Sequence, residues 1–216
     1  MSLPLNPPHD CPACPRLVEF RQMHRARNPE WHNAPVPTFS APVPRLLVVG
    51  LAPGLKGANR TGRPFTGDYA GDLLYETMID FGFARGSYAA RPDDGLALVD
   101  AAITNAVRCV PPENKPTGAE IRTCLPYLQE TIARLGDPVV ILALGRIAHD
   151  ATLSALKLRK SAFPFGHAAR HAPEAAPVVF DSYHCSRYNT NTRRLTREMF
   201  RSVFAAIRHE VDATAR

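Results

Sequence analysis

The amino-acid sequence predicts an α/β fold, a parallel sheet of four strands covered by helices on both faces. Three observations carry this expectation. Four short apolar runs, 45–50 (RLLVVG), 98–106 (LVDAAITNA), 138–144 (PVVILAL) and 177–181 (PVVFD), have the length and apolar content of buried strands. Helical stretches separate them, and strand alternating with helix builds parallel sheets. The chain has 216 residues and 45% hydrophobic content, enough for one domain with a full core.

The elements follow from local patterns. Residues 1–15 are rich in proline and read as extended chain up to Cys11. Residues 15–27 (PRLVEFRQMHRAR) form a short helix with Leu17, Phe20 and His24 on one side. Pro29, Pro35, Pro37, Pro42 and Pro44 then forbid regular helix over 28–44, leaving a proline-rich arm of about residues 1–44 ahead of the first strand. Residues 70–83 (AGDLLYETMIDFGF) carry Leu73, Leu74, Met78, Ile79 and Phe81 in a helical pattern. The stretch 116–136 opens with Thr117 and Glu120 at capping-box spacing and holds Pro126, a source of a kink. Residues 145–158 follow the third strand directly. The last helix, 194–213, turns Leu195, Met199, Val203, Ile207 and Val211 inward. The chain shows no internal repeat.

Charge and composition narrow the function. The net charge is +6 and the isoelectric point near 9.3, which favours an acidic partner such as nucleic acid. No apolar run approaches a membrane span, so a membrane partner is not expected. The first residues, MSLPLNPPHDCPACPR, lack the apolar core of a signal peptide, and a cytoplasmic, nucleoid-associated location is expected. Nothing implies an obligate protein partner.

The cysteines say more. They stand at positions 11, 14, 109, 124 and 185, an odd count that speaks against a disulfide framework. Cys11 and Cys14 form a C-x-x-C pair, and fourteen residues separate Cys109 from Cys124. Together they fit a four-thiolate site for zinc or a [4Fe–4S] cluster. The second pair is too wide for a zinc knuckle, which favours the cluster. Its role would be to pin the proline-rich arm.

A long loop follows the first strand: GLAPGLKGANRTGRPFTGD, residues 50–68, with five glycines, two prolines and one aromatic. It matches neither the P-loop nor the dinucleotide-binding pattern. In open α/β sheets ligands gather beyond the carboxyl ends of the strands. There this loop should meet Asn105 and the segment YHCSRYNTNT, residues 183–192.

Three motifs, GLAPGLKGANRTGRPFTGD, TNAVRCVPPENKPTGAEIRTC and HCSRYNTNTRRLT, together resemble the iron–sulfur uracil-DNA glycosylases, and most closely their family 5 branch. The resemblance runs from Cys11 to about residue 200. It implies a single uracil-DNA-glycosylase-like domain over 1–216, with a three-layer α/β/α fold around a central four-stranded parallel sheet. It implies a [4Fe–4S] cluster on Cys11, Cys14, Cys109 and Cys124. It also implies monofunctional hydrolysis of the N-glycosidic bond of uracil and other deaminated bases, such as hypoxanthine, in DNA. One position departs from the pattern: relatives have His-Pro-Ser where this chain has His184-Cys185-Ser186.

The residues suit that chemistry. A base inside a duplex must be rotated out into a pocket before its bond to the sugar can be reached. Phe65 matches the family's stacking aromatic, with Pro64 restricting the backbone before it; by itself it also reads as a core residue. Asn105, with an amide donor and acceptor, can read the polar edge of a base, or merely cap a strand end. His184 matches the histidine that reaches the O2 side, where a neutral donor or a cation stabilises the departing anion. Ala52, Pro53 and Gly54 line the base site. Related glycosylases offer an acid or amide where Ala52 stands, a side chain that cannot take a proton. The attacking water must then be held by backbone of 51–54, by Asn59 or by Asp68, whose carboxylate can equally cap the helix near Ala70. Ser186, Arg187, Tyr188, Asn189 and Asn191 resemble the loop that enters the minor groove. Arg60 and Arg63, with Lys115, Arg193 and Arg194, are candidate phosphate contacts, although charge runs also serve simply as solvated faces.

Three functions compete: a glycosylase of broad specificity, an iron–sulfur protein for electron transfer, and a DNA-binding iron–sulfur relative with a damaged-base pocket but no efficient turnover. Phe65, Asn105 and His184 argue against electron transfer. The stretch LKGANRTGRPF lacks the basic insertion of covalent-trapping relatives, while Ala52 keeps the third reading open.

Overall fold

The computed structural model describes residues 5–135 and 140–213. Its elements run in chain order α1 (Pro15–Arg27), β1 (Phe39–Ser40), β2 (Leu46–Gly50), α2 (Ala58–Thr61), α3 (Tyr69–Asp80), β3 (Ala84–Arg85), β4 (Ala97–Leu98), β5 (Ala101–Asn105), α4 (Gly118–Arg134), β6 (Val140–Leu144), α5 (Arg146–Ala155), β7 (Arg170–His171), β8 (Val178–Ser182), α6 (Arg187–Asn191) and α7 (Arg197–Ala213). The four long strands are the four apolar runs. Positions 138 and 139 of the third run lie outside the described residues.

The sheet has six strands in the order β1-β5-β2-β6-β8-β7, so the expected four-stranded sheet gains two edges. β5, β2, β6 and β8 are parallel, and β1 and β7 are two-residue antiparallel additions. β1 comes from the proline-rich arm. The prolines exclude helix but permit a short edge strand, where few ladder bonds are needed. The second run starts later than expected, because Ala97–Leu98 pair with Ala84–Arg85 in a separate hairpin.

Strand alternation assigns side chains to the two faces. Leu46, Val48, Ile103 and Leu142 pack on one face against Leu74 and Met78 of α3 and Phe200, Val203 and Ile207 of α7. Leu47, Val49, Ala102 and Ile141 pack on the other against Leu128 of α4 and Ala148 and Ala151 of α5. Every residue of β2, β5 and β6 is buried, which is why these strands read as continuous apolar runs rather than alternating ones. Three layers result. Among the described residues no helix is long and apolar enough to cross a membrane.

The helix ends follow the local chemistry. Thr117 accepts from the Glu120 N–H while the Glu120 carboxylate accepts from the Thr117 N–H, a closed capping box. Pro126 lies inside α4, which nonetheless runs unbroken from 118 to 134. α6 was not expected; Ser186 caps it by accepting from the Asn189 N–H at 3.4 Å.

The arm is tied to the body by arginines. Arg16 donates to both oxygens of Glu120, at 2.8 and 2.7 Å, and to the Lys115 carbonyl. Within the arm, Arg25 donates to the Asn33 carbonyl and the Asp10 carboxylate. Glu120 therefore serves α4 and the arm at once, and the Arg16 guanidinium holds its carboxyl below the usual range. Glu120→Ala should lower stability by about 2 kcal/mol, against about 1 kcal/mol for Thr117→Ala, as read by thermal or denaturant unfolding.

Candidate active site

The carboxyl ends of β2 and β5 meet at Gly50 and Asn105, which are paired in register. A Cβ at Gly50 would lie 2.4 Å from Asn105 Oδ1 and 2.6 Å from the tip of the Phe65 ring. The missing side chain lets the amide and the ring converge over the end of the central strand. Asn105 is 3% exposed and Phe65 6% exposed.

These residues form the wall of a cavity of about 600 Å³. Ala52, Pro53 and Gly54 supply another wall, and Asp68, His184, Ser186 and Arg187 complete the set that the sequence pointed to. The His184 and Phe65 rings are 5.8 Å apart between centroids and 27° from parallel. A flat base between two rings needs about 7 Å, two contacts of ~3.5 Å. The two rings therefore stand too close for a flat ligand to lie between them.

His184 is half-buried, and burial pushes its imidazole down to about 4. At neutral pH the ring is uncharged and offers one N–H donor. Its backbone is fixed by its neighbours. The Asn189 amide donates to the His184 carbonyl at 2.8 Å, and the buried Cys185 thiol donates to the Ala70 carbonyl at 3.4 Å. The thiol thereby anchors the histidine loop to the first turn of α3.

Asp68 does two things. One oxygen caps α3 by accepting from the Gly71 N–H at 3.3 Å. The other faces Gly57 and Gly54, where a Cβ would lie 2.4 Å and 3.1 Å from it. Burial raises the Asp68 carboxyl above the usual range, only partly opposed by its backbone hydrogen bonds.

Two expectations fail. Asn59 is fully buried and does not line the cavity; its amide donates to Asn33 Oδ1 at 2.9 Å, because α2 is fastened to residues 32–33 of the arm. It is not in position to hold a water in the cavity. Arg63 is not a surface phosphate contact: it is 6% exposed and donates to both oxygens of Asp94 at 2.9 and 2.8 Å, its guanidinium lying over the rings of Phe39, Tyr75 and Tyr88. Tyr188, Asn189 and Asn191, expected on a DNA-facing loop, lie on α6 outside the cavity. Tyr188 projects outward, 72% exposed, and Asn191 is exposed at the end of α6.

Sequence reading missed Tyr69 and Asn114, which both line the cavity. Tyr69 follows Asp68 directly. The Arg187 guanidinium lies 5.2 Å over its ring, and its hydroxyl pairs with Thr190. Asn114 belongs to the motif between the paired cysteines. It sits with Glu113 in a turn where both residues have positive φ, a conformation no residue pattern announced.

Cations surround the mouth. Lys56 and Arg187 line the cavity, Arg60 is exposed beside it, and Arg146 and Arg194 line an adjoining cleft that shares His184. None of the five makes an ion pair among the described residues, whereas Arg170, Arg197, Arg201 and Arg208 all do.

A second site lies behind the first. Cys11, Cys14, Cys109 and Cys124 line one small pocket. Two guanidinium groups approach it without any carboxylate. Arg21, 3% exposed, donates to Cys109 Sγ at 3.5 Å and to the Cys11 carbonyl at 3.0 Å. Arg108 is fully buried with only neutral side-chain partners, its backbone N–H donates to Cys124 Sγ at 3.4 Å, and burial pushes its guanidinium down to about 10. Burial pushes the Cys14 thiol up to about 11 and the Cys109 thiol up to about 12. Two buried cations beside four partly or fully buried thiols fit a centre whose thiolates carry negative charge.

A family profile described as Uracil DNA glycosylase superfamily matches residues 37–208. A Type-5 uracil-DNA glycosylase of Thermus thermophilus is 45% identical over 199 residues, covering 89% of this chain and 90% of the relative. One from Pyrobaculum aerophilum is 37% identical, covering 90% and 86%. A Type-4 uracil-DNA glycosylase of Sulfurisphaera tokodaii is 30% identical, covering 78% and 72%. With a sheet edge that brings Phe65, Asn105 and His184 to one cavity, and with this extent of similarity, the chain belongs to the uracil-DNA glycosylase superfamily, in its type-5 branch.

Proposed function

We propose that this chain is a DNA-repair glycosylase that hydrolyses the N-glycosidic bond of uracil, and of other deaminated bases such as hypoxanthine, leaving an abasic site in DNA. The observation that carries the reading is the convergence of a ring, an amide and an uncharged imidazole in one cavity at the carboxyl edge of the sheet. The unpaired cations at its mouth support a polyanion as the larger ligand.

The base leaves the stack at a cost of a few kcal/mol. Stacking on Phe65 returns about 1–3 kcal/mol, and hydrogen bonds to Asn105 add to it. The Asn105 amide presents a donor beside an acceptor, and uracil and hypoxanthine both carry a carbonyl beside a ring N–H, so the amide meets either base in the same sense. As the bond to the sugar breaks, charge gathers on the base. The uncharged His184 ring donates its N–H to that charge, in a cavity where little water competes. Asp68 holds the attacking water with the oxygen that faces Gly54 and Gly57, and its raised pKa makes it a better proton acceptor than an ordinary carboxylate. Ala52 then needs no acid function.

Cys11, Cys14, Cys109 and Cys124 hold a [4Fe–4S] cluster in this reading. A single zinc ion at about 2.3 Å from each sulfur brings the sulfurs to within about 3.8 Å of one another. Among the described residues the one group of three or more ligand atoms within 4.8 Å is His149, His171 and Asp181, so the four sulfurs are spread more widely than zinc requires. When bound, the cluster supplies a cross-link between the arm and the segment 109–124, and hydrolysis draws no electrons from it.

The test is a duplex carrying one uracil or one hypoxanthine. The expected outcome is an alkali-labile abasic site with either base, and a single-turnover rate that falls about a hundredfold in Asn105→Ala. Tight binding without release would favour the DNA-binding alternative. The pH profile follows from His184. Its ring is protonated only as pH falls toward about 4, so between pH 6 and 8 the rate should show no step due to imidazole. Loss of activity as pH rises through about 6.5 would mean that a cationic histidine is required. Protein purified without oxygen should contain about four iron and four acid-labile sulfide per chain; zinc in their place would overturn the cluster.

A further inference from the structure

Phe65 stacks on nothing by accident. It is a non-glycine residue with φ of +52°, and that backbone angle sets the direction in which its ring leaves the chain. A shift to ordinary negative φ would swing the ring off Gly50 and out of the cavity wall. Something must therefore hold the peptide units on both sides of it.

The holding groups come from α3, from the excursion between β3 and β4 and from Arg63 of the loop itself. The Tyr75 hydroxyl donates to the Pro64 carbonyl at 2.6 Å. The Tyr88 hydroxyl donates to the Phe65 carbonyl at 3.1 Å and accepts the Gly67 N–H at 3.4 Å, so one phenol straddles the residue. Burial pushes the Tyr88 phenol up to about 12, which keeps its proton in place. Arg63, two residues before Phe65, is locked to Asp94 by two bonds and to Thr66 Oγ1 at 2.8 Å. Asp94 also accepts from the Ala89 and Leu96 N–H groups, which folds the excursion between β3 and β4 around it. Gly71 leaves room for the arrangement: a Cβ there would lie 1.9 Å from the Phe65 carbonyl oxygen and 2.3 Å from the Tyr88 hydroxyl.

We propose that the excursion between β3 and β4 is a brace for the base-stacking ring, with Tyr88 and the Arg63–Asp94 pair as positioning residues for base recognition. None of the three lines the cavity; they act through the Phe65 backbone. This rests on the reading of the cavity as a base pocket.

The experiment measures binding to two duplexes, one with non-hydrolysable 2′-fluoro-2′-deoxyuridine and one with a tetrahydrofuran abasic analogue, which has no base to stack. Tyr88→Phe removes one hydroxyl and keeps the ring. It should weaken binding of the fluorouridine duplex roughly three- to tenfold and leave the abasic duplex unchanged. Asp94→Asn should show the same split. In a Phe65→Ala background Tyr88→Phe should cause no further loss, since the ring it positions is gone. Equal weakening of both duplexes, or losses that add in the double variant, would make the excursion a general structural element and overturn the brace. If Phe65→Ala alone binds the fluorouridine duplex like the parent, the base-pocket reading falls, and the brace with it.

Discussion

The contact that everything else answers to is the one over Gly50. A central strand ends in a residue with no side chain, and the space left is filled from two directions by the Phe65 ring and the Asn105 amide. The parallel sheet supplies the geometry, since β2 and β5 end in register at these positions. Any Cβ would push apart the aromatic surface and the amide that share this wall of the cavity. The glycine is thus a requirement of close approach rather than of backbone freedom.

From that point the site is built outward in layers of decreasing apolarity. The ring and amide are almost fully buried. Around them stand one uncharged imidazole and one carboxylate that caps a helix with one oxygen and faces the cavity with the other. Beyond these the cations are unpaired. The pattern of ion pairing is informative because the same chain pairs its arginines readily elsewhere, as Arg170 with Glu210 and Arg63 with Asp94 show. Cations without a carboxylate partner include those at the cavity mouth and the two beside the cysteines.

Much of this was legible in the sequence. The four apolar runs became the four parallel strands because strands buried on both faces need continuous apolar residues. Thr117 and Glu120 closed the capping box their spacing announced. Asn105 and His184 met in one cavity because each sits at or just beyond a strand's carboxyl end, and Phe65 reaches them through the long loop that follows β2. What stayed hidden depended on long-range packing. Arg63 looks like any loop arginine until Asp94, thirty-one positions away, is seen to neutralise it. Asn59 looks like a water ligand until the arm is found packed over it. Tyr88 carries no motif, and its bonds to Phe65 and Gly67 follow from an excursion that no periodicity describes. The edge strands β1 and β7, two residues each, are too short to leave a pattern.

The account's central claim is that a nucleotide leaves the duplex and lays its base on Phe65 with its polar edge on Asn105. The most direct measurement is a crystal structure of the protein on a duplex holding a single uncleavable uridine. The account predicts the base plane about 3.5 Å from the Phe65 ring, its edge hydrogen-bonded to the Asn105 amide and its O2 side turned to His184. A uridine still stacked in the duplex while the protein is bound, or extruded onto another face of the molecule, would contradict it.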